Sequence, residues 1–191
     1  HSLILEKYES GQLDAEEKFR ARLALAERDN RFAEALLQDA IEGDPEKVAA
    51  CHELFKPLSG EVRRPLREIL LNQTVSDQRR LAAASILSGI DPLDEVLLGS
   101  IKPITDSLLR QQVTEIPRWR HLLAPVHDQL AAELLGRFSV DARQSSSEVR
   151  SKILSTALPI AEINPKRLLE FYLRSTSDEV AEIAQRCDAF R

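Results

Sequence analysis

Hydrophobic residues in this chain recur mostly at spacings of three and four, and the one stretch that departs from this organises the rest. Across residues 81–87 the run Leu, Ala, Ala, Ala, Ser, Ile, Leu leaves no face polar. A helix that is apolar nearly all round has to be covered on several sides, so residues 75–92 are expected to form a short central helix held between neighbours. Its alanines and Ser85 carry small side chains that let adjacent helices approach closely. Gly89 and Pro92 supply the expected stop.

The flanking segments read as amphipathic helices. Asp14 and Glu17 form a variant capping box that opens a helix through about residue 28, with Phe19, Leu23 and Ala26 on one face. Phe32, Leu36, Leu37 and Ile41 mark a second helix closed by Gly43. Asp44 followed by Pro45 is an N-cap with proline in the first turn, opening a helix that carries Val48, Cys51, His52 and Phe55. Pro57 and the Ser59-Gly60 pair are expected to break it before Val62, Leu66, Ile69 and Leu70 carry the next. After the central helix, Asp91-Pro92 is expected to open a helix through Leu97 and Leu98. Pro103 then starts one with Leu108, Leu109 and Val113, and Pro117 one with Trp119, Leu122 and Leu123. Beyond Pro125 a stripe of Leu130, Leu134, Leu135 and Phe138 predicts a longer helix. Residues 141–147 form the most polar loop, Ser145 and Glu148 cap a helix over 149–158, Asn164-Pro165 opens another, and Thr176 with Glu179 caps the last. No useful length of chain alternates with period two, which makes the expected fold all-α.

These helices repeat. The stretch from His52 and the stretch from Arg120 share a pattern of apolar residue, one residue, proline, apolar residue, running into a leucine-rich helix, with Pro57 and Pro125 68 positions apart. Arg80 and Arg150 precede equivalent helices at an offset of 70, and the Asp91-Pro92 and Asn164-Pro165 caps follow at 73. The segments from Phe32 and Leu168 align at 136, twice the first offset. Each period holds four short helices, or two hairpins, giving repeats over 14–75, 76–144 and an incomplete 145–191.

Helix hairpins of this size with proline breaks resemble HEAT or armadillo-type repeats. The segments RRLAAASIL and VRSKILSTALP resemble HEAT-like repeat regions attached to serine/threonine kinase domains in large multidomain bacterial proteins. The resemblance implies a right-handed α-α superhelix, a solenoid of antiparallel hairpins with about 10–12 short helices. It further implies a noncatalytic scaffold or docking region within a larger bacterial protein, with a kinase as a candidate parent, one protein or peptide partner surface, and no cofactor. The chain departs from the commonest signature in lacking a regular Asp-Val/Arg ladder in every hairpin.

Composition narrows the picture only a little. A 191-residue chain with 43% apolar and 30% charged residues can bury a real core. The net charge of −5 comes from one end: residues 1–60 hold 13 acidic and 8 basic side chains, and the remainder balances at 18 each. Cys51 and Cys187 are too few for a disulfide framework and fit a reducing, cytoplasmic setting. No apolar run reaches membrane-spanning length. Opening on His1 and lacking methionine, the sequence reads as a piece of a longer protein with a residual tag residue.

Candidate chemistry is sparse. Cys51-His52-Glu53 holds the residue types of a thiol nucleophile and its base, but consecutive helix positions point about 100° apart and do not converge. His121 and His127, six apart across a proline, do not have the spacing of zinc ligands on one helix. Only six glycines are present, none in phosphate-loop order. Arg63, Arg64, Arg67, Arg79 and Arg80 form the one basic concentration, which suits an acidic peptide through charge-assisted hydrogen bonds. The alternative use of that cluster is nucleic-acid binding, which the acidic chain and an aromatic content of 5% disfavour. A third reading treats them as a solvated face, with Arg80 packing its stem or meeting a helix C-terminus. Arg118, Trp119 and Arg120 are the best candidates for an exposed anchor, although Trp119 falls near the apolar face of Leu122 and Leu123.

Overall fold

The structure, a computed structural model, describes residues 2–26 and 29–141 together with Ile153 and Thr156. Among the described residues the protein is all-helical, without strands. The helices are α1 (Ser2–Glu9), α2 (Ala15–Ala26), α3 (Ala33–Glu42), α4 (Pro45–His52), α5 (Ser59–Leu71), α6 (Asp77–Ile90), α7 (Glu95–Gly99), α8 (Ile101–Arg110), α9 (Ile116–Leu122) and α10 (His127–Asp141). Single 3-10 turns at Asn30–Phe32 and Ala124–Val126 join α2 to α3 and α9 to α10. Helix α1 was not apparent from the apolar periodicity.

Local capping sets several boundaries. Asp14 and Glu17 form the reciprocal box, with Glu17 N donating to Asp14 Oδ1 at 2.8 Å and Asp14 N to Glu17 Oε2 at 3.0 Å. Asp44 accepts from the amides of Glu46 and Lys47, both at 3.0 Å, directly before Pro45. Ser76 caps α6 by accepting from Arg79 N at 3.3 Å.

Helix α6 is the centre of the molecule. It packs against α3, α4, α5, α7, α8 and α9, and every residue from Arg80 to Ser88 is buried. Ala82, Ala83, Ala84 and Ser85 have no exposed surface, so their small side chains set how closely the surrounding helices approach. The core is one continuous cluster running from Phe19 through α6 to Leu135, and Ile153 belongs to it.

Several sequence expectations need correction. Ser59 and Gly60 begin α5 instead of breaking the chain; the break is the run of turns after His52. Asp91 is the C-cap of α6, and α7 is opened by Asp94, whose side chain accepts from Val96 N at 3.0 Å and Leu97 N at 3.3 Å. The Asp-Pro signal lost because the turn at residues 91–94 lets a second carboxylate reach the first free amides of α7. Val113 lies beyond α8 and is 73% exposed, so it contributes nothing to that helix's apolar face. The expectations for residues 142–191, including the loop over 141–147, the cap at Ser145 and the helices after Asn164, fall outside the described residues apart from Asp141, Ile153 and Thr156, which are helical.

Gly89 stays inside α6 and its role is close packing. A Cβ there would stand 2.2 Å from Nε2 and 2.3 Å from Cε1 of His52, the last residue of α4. In an unobstructed helix interior alanine is favoured over glycine by about 1 kcal/mol. Here Gly89→Ala is expected to destabilise by about 1–2 kcal/mol because the imidazole has to leave its seat. In a His52→Ala background the same change is expected to stabilise. Urea melts of the four proteins read this directly, and an alanine that stabilises in both backgrounds would show that the ring does not dictate the glycine.

Candidate functional site

The arginine cluster is divided between the two ends of the α5–α6 pair and largely neutralised there. Helix α5 offers Arg63, Arg64 and Arg67, and the first turn of α6 offers Arg79 and Arg80. Arg63 Nη2 donates to Asp91 Oδ2 at 3.0 Å, and Arg67 Nε donates to Asp94 Oδ2 at 2.8 Å. Arg79 Nε lies 3.3 Å from Glu42 Oε1 at the end of α3. Arg64 is the outlier, 88% exposed and paired one turn on with Glu68 at 2.9 Å.

Asp94 has a fully buried side chain that both caps α7 and receives Arg67. Its burial pushes the carboxyl toward protonation, but the hydrogen bonds from Arg67, Leu97 N and Val96 N outweigh that and hold it below the usual aspartate value. The pair therefore clamps α5 to the start of α7. Sequence reasoning missed this partner because it stands 27 residues from Arg67, as Asp91 stands 28 from Arg63.

Arg80 is 6% exposed and serves the interior. Its Nη2 donates to the carbonyls of Asn72 at 3.2 Å and Gln73 at 3.4 Å, just past the C-terminus of α5. Its Nη1 reaches Ser107 Oγ of α8 at 3.2 Å. Ser107 Oγ in turn donates to Asp77 Oδ1 at 2.8 Å, and Arg110 meets the same oxygen at 2.8 Å. A cation beside the exposed carbonyls of a helix C-terminus is favourable both as a hydrogen-bond donor and toward the helix dipole.

The second candidate set diverges. Trp119 is 1% exposed and packs in the core, with no acceptor at its indole nitrogen among the described residues. Arg118 points outward and pairs with Glu46 of α4 at 2.9 Å. Arg120 is half-buried, and its carbonyl accepts from His127 Nε2 at 2.8 Å.

Between α4 and α9 runs an apolar groove of about 360 Å³. Pro45 and Ala49 line it from α4, Pro117 and Leu122 from α9, and Glu46, Arg118 and His121 bound it. The exposed Glu46–Arg118 pair that crosses it is worth at most about 1 kcal/mol and opens readily for a guest.

Of the thiol, histidine and carboxylate at residues 51–53, the last two stay close, with His52 Nδ1 3.6 Å from Glu53 Oε1, while the Cys51 thiol turns away into the core. Cys51 has no exposed surface, and burial pushes its thiol up to about 12, so at neutral pH it is a small apolar core residue. The His52 ring rests on Gly89, while Glu53 turns outward to Lys56 Nζ at 2.7 Å. His121 lines the groove and His127 is held by Arg120. Among the described residues no three His, Cys, Asp or Glu side chains gather as a metal site, and no helix is long and apolar enough to cross a membrane.

No protein-family model, curated protein or solved structure matches this chain.

Proposed function

We propose that this chain is a noncatalytic protein-docking scaffold, a HEAT-like right-handed superhelix of helix hairpins serving a larger bacterial protein, with a serine/threonine kinase as the candidate parent. Two successive helix triplets support the repeat. Helices α3, α4 and α5 have 10, 8 and 13 residues, and α8, α9 and α10 have 10, 7 and 15. Their first helices start at Ala33 and Ile101, the same 68 positions that separate Pro57 from Pro125. The middle helix of each triplet has proline in its first turn.

The single observation that carries a docking role is the groove between those two middle helices. Stacked repeats characteristically bind partners on surfaces made by equivalent helices of neighbouring units. Its apolar walls favour burial of a side chain, and a guest carboxylate that displaces the exposed Glu46 would take over Arg118. A protein or peptide with an apolar anchor beside an acidic residue fits this chemistry. Nucleic acid fits it less well, since Arg63, Arg67, Arg79 and Arg80 already have partners within the chain.

The test uses the native chain, Ala49→Arg to fill the groove, and Arg64→Glu to reverse the exposed cation, each as bait with nuclease-treated and untreated extract. A specific protein retained by the native and Arg64→Glu baits but not by Ala49→Arg is the expected result. Retention that disappears with nuclease and with Arg64→Glu would replace the scaffold reading with the nucleic-acid one.

A further inference from the structure

We propose that the groove between α4 and α9 receives the Leu93 turn of a second copy of this chain. The proposal rests on the reading of that groove as a docking site, and it names the guest. Leu93 is 73% exposed and follows Pro92, which is exposed as well. It stands one position before Asp94, the N-cap of α7, where an apolar residue often folds back on the fourth residue of the helix. That residue is Leu98, and Leu93 faces solvent instead of covering it. Its presentation is rigid. Leu93 N donates to Asp91 Oδ1 at 3.2 Å, Arg63 Nη2 donates to Asp91 Oδ2 at 3.0 Å, and Arg67 Nη2 lies 2.7 Å from Oδ2 of the buried Asp94. The turn is fastened to α5 on both sides of Leu93, so little freedom is lost when its tip enters a partner.

The groove offers the matching surface. Pro45, Ala49, Pro117 and Leu122 wall about 360 Å³ of apolar space, and Leu93 does not line the groove of its own chain. Entry of the leucine removes its side chain from water against those walls. Glu95, two positions after Leu93, is exposed, and the nearby Arg67 is held by Asp94 rather than by Glu95. At the groove's edge the Glu95 carboxylate can accept a ring N–H of His121, and by displacing the exposed Glu46 it takes over Arg118. The chain therefore carries the apolar anchor with a neighbouring acid that its own groove fits. Turn and groove are different surfaces, so each contact takes one from each copy. One side chain with its rim covers far less than a standard interface, and the association is expected to be weak, with a midpoint near ~0.1 mM.

Sedimentation equilibrium of the full chain from about 5 to about 500 µM is expected to show a mass that rises with concentration. Leu93→Asn keeps the size of the tip and loses its apolarity, and Ala49→Arg fills the groove. Each is expected to weaken association at least about tenfold. Mixed in equal amounts, these two variants are expected to form one-to-one pairs, because one intact turn and one intact groove remain between them. Glu95→Gln is expected to weaken association about threefold. Leu3→Asn, a change at an exposed leucine of α1, is expected to leave it within about twofold. Circular dichroism melts establish that each variant is folded. A native chain that stays monomeric, a variant mixture that does not pair, or equal loss with Leu3→Asn would each overturn the proposal, the last by showing unspecific apolar adhesion. The docking reading fails separately. If the native chain stays monomeric while Ala49→Arg loses a protein that the native bait retains from extract, the groove's guest is another protein and only the second-copy proposal falls.

Discussion

Replacing Trp119 with alanine is expected to cost about 3–5 kcal/mol and to lower the melting temperature by roughly 10 °C. The indole is 1% exposed and belongs to the single core cluster with Leu122 and Leu123 of the same turn. Truncation therefore removes a large apolar surface and leaves a cavity that the surrounding helices can fill only in part. Helix α9 packs on α4, α6 and α8, so the loss is felt across the centre of the molecule. Trp119→Phe is expected to cost less than about 2 kcal/mol, because the indole N–H has no acceptor among the described residues to lose and the ring keeps most of its contacts. Equilibrium urea unfolding of the three proteins checks both figures. A binding anchor would behave oppositely, with stability within about 0.5 kcal/mol of native and partner affinity lost. The burial assigns Trp119 to the first pattern and leaves Arg118 as the accessible member of its triplet.

What could be read from the sequence was whatever depends on neighbours within a few residues. The caps at Asp14 and Asp44 were legible because each carboxylate bonds amides two or three positions on. The all-round burial of α6 was legible because its composition leaves no face for water. Gly89 was misread for a physical reason. A glycine near a helix end looks like a terminator, and nothing in sequence reveals a histidine 37 positions earlier whose ring occupies the space of its missing side chain.

The arginine cluster shows the same limit from the electrostatic side. Proximity in sequence made Arg63, Arg64, Arg67, Arg79 and Arg80 look like one basic surface, although Arg80 at a helix C-terminus was among the readings and is where its hydrogen bonds lie. The fold gives four of them to acids and carbonyls on other segments, leaving Arg64 on the surface with its neighbour Glu68. The α4–α9 groove was not legible either, since Pro45 and Pro117 each read as a helix start and only packing places the two helices side by side.

Arg80→Ala is expected to destabilise by about 2–4 kcal/mol, with no dependence on salt beyond that of the native chain. The guanidinium reaches three elements at once: the carbonyls after α5, Ser107 on α8, and its own helix α6. Alanine leaves the Asn72 and Gln73 carbonyls without this donor in a half-buried setting and opens space beside Ser107. Asp77 keeps Arg110, so the destabilisation comes from the lost carbonyl and hydroxyl contacts more than from an orphaned carboxylate. Arg80→Lys keeps the charge, but one ammonium lacks the planar fork that spans two carbonyls and a hydroxyl, and about half the loss is expected to remain. Salt separates this role from a surface one. A buried guanidinium is poorly screened, so the difference between native and Arg80→Ala should hold between 0.05 and 0.5 M chloride, conditions that bracket roughly a threefold change in screening length. A difference that collapses at the higher salt, or a variant as stable as native, would return Arg80 to the exposed basic surface. Survival of the difference instead makes it the tie that fixes where α5 ends against the central helix, and that holds α8 there through Ser107.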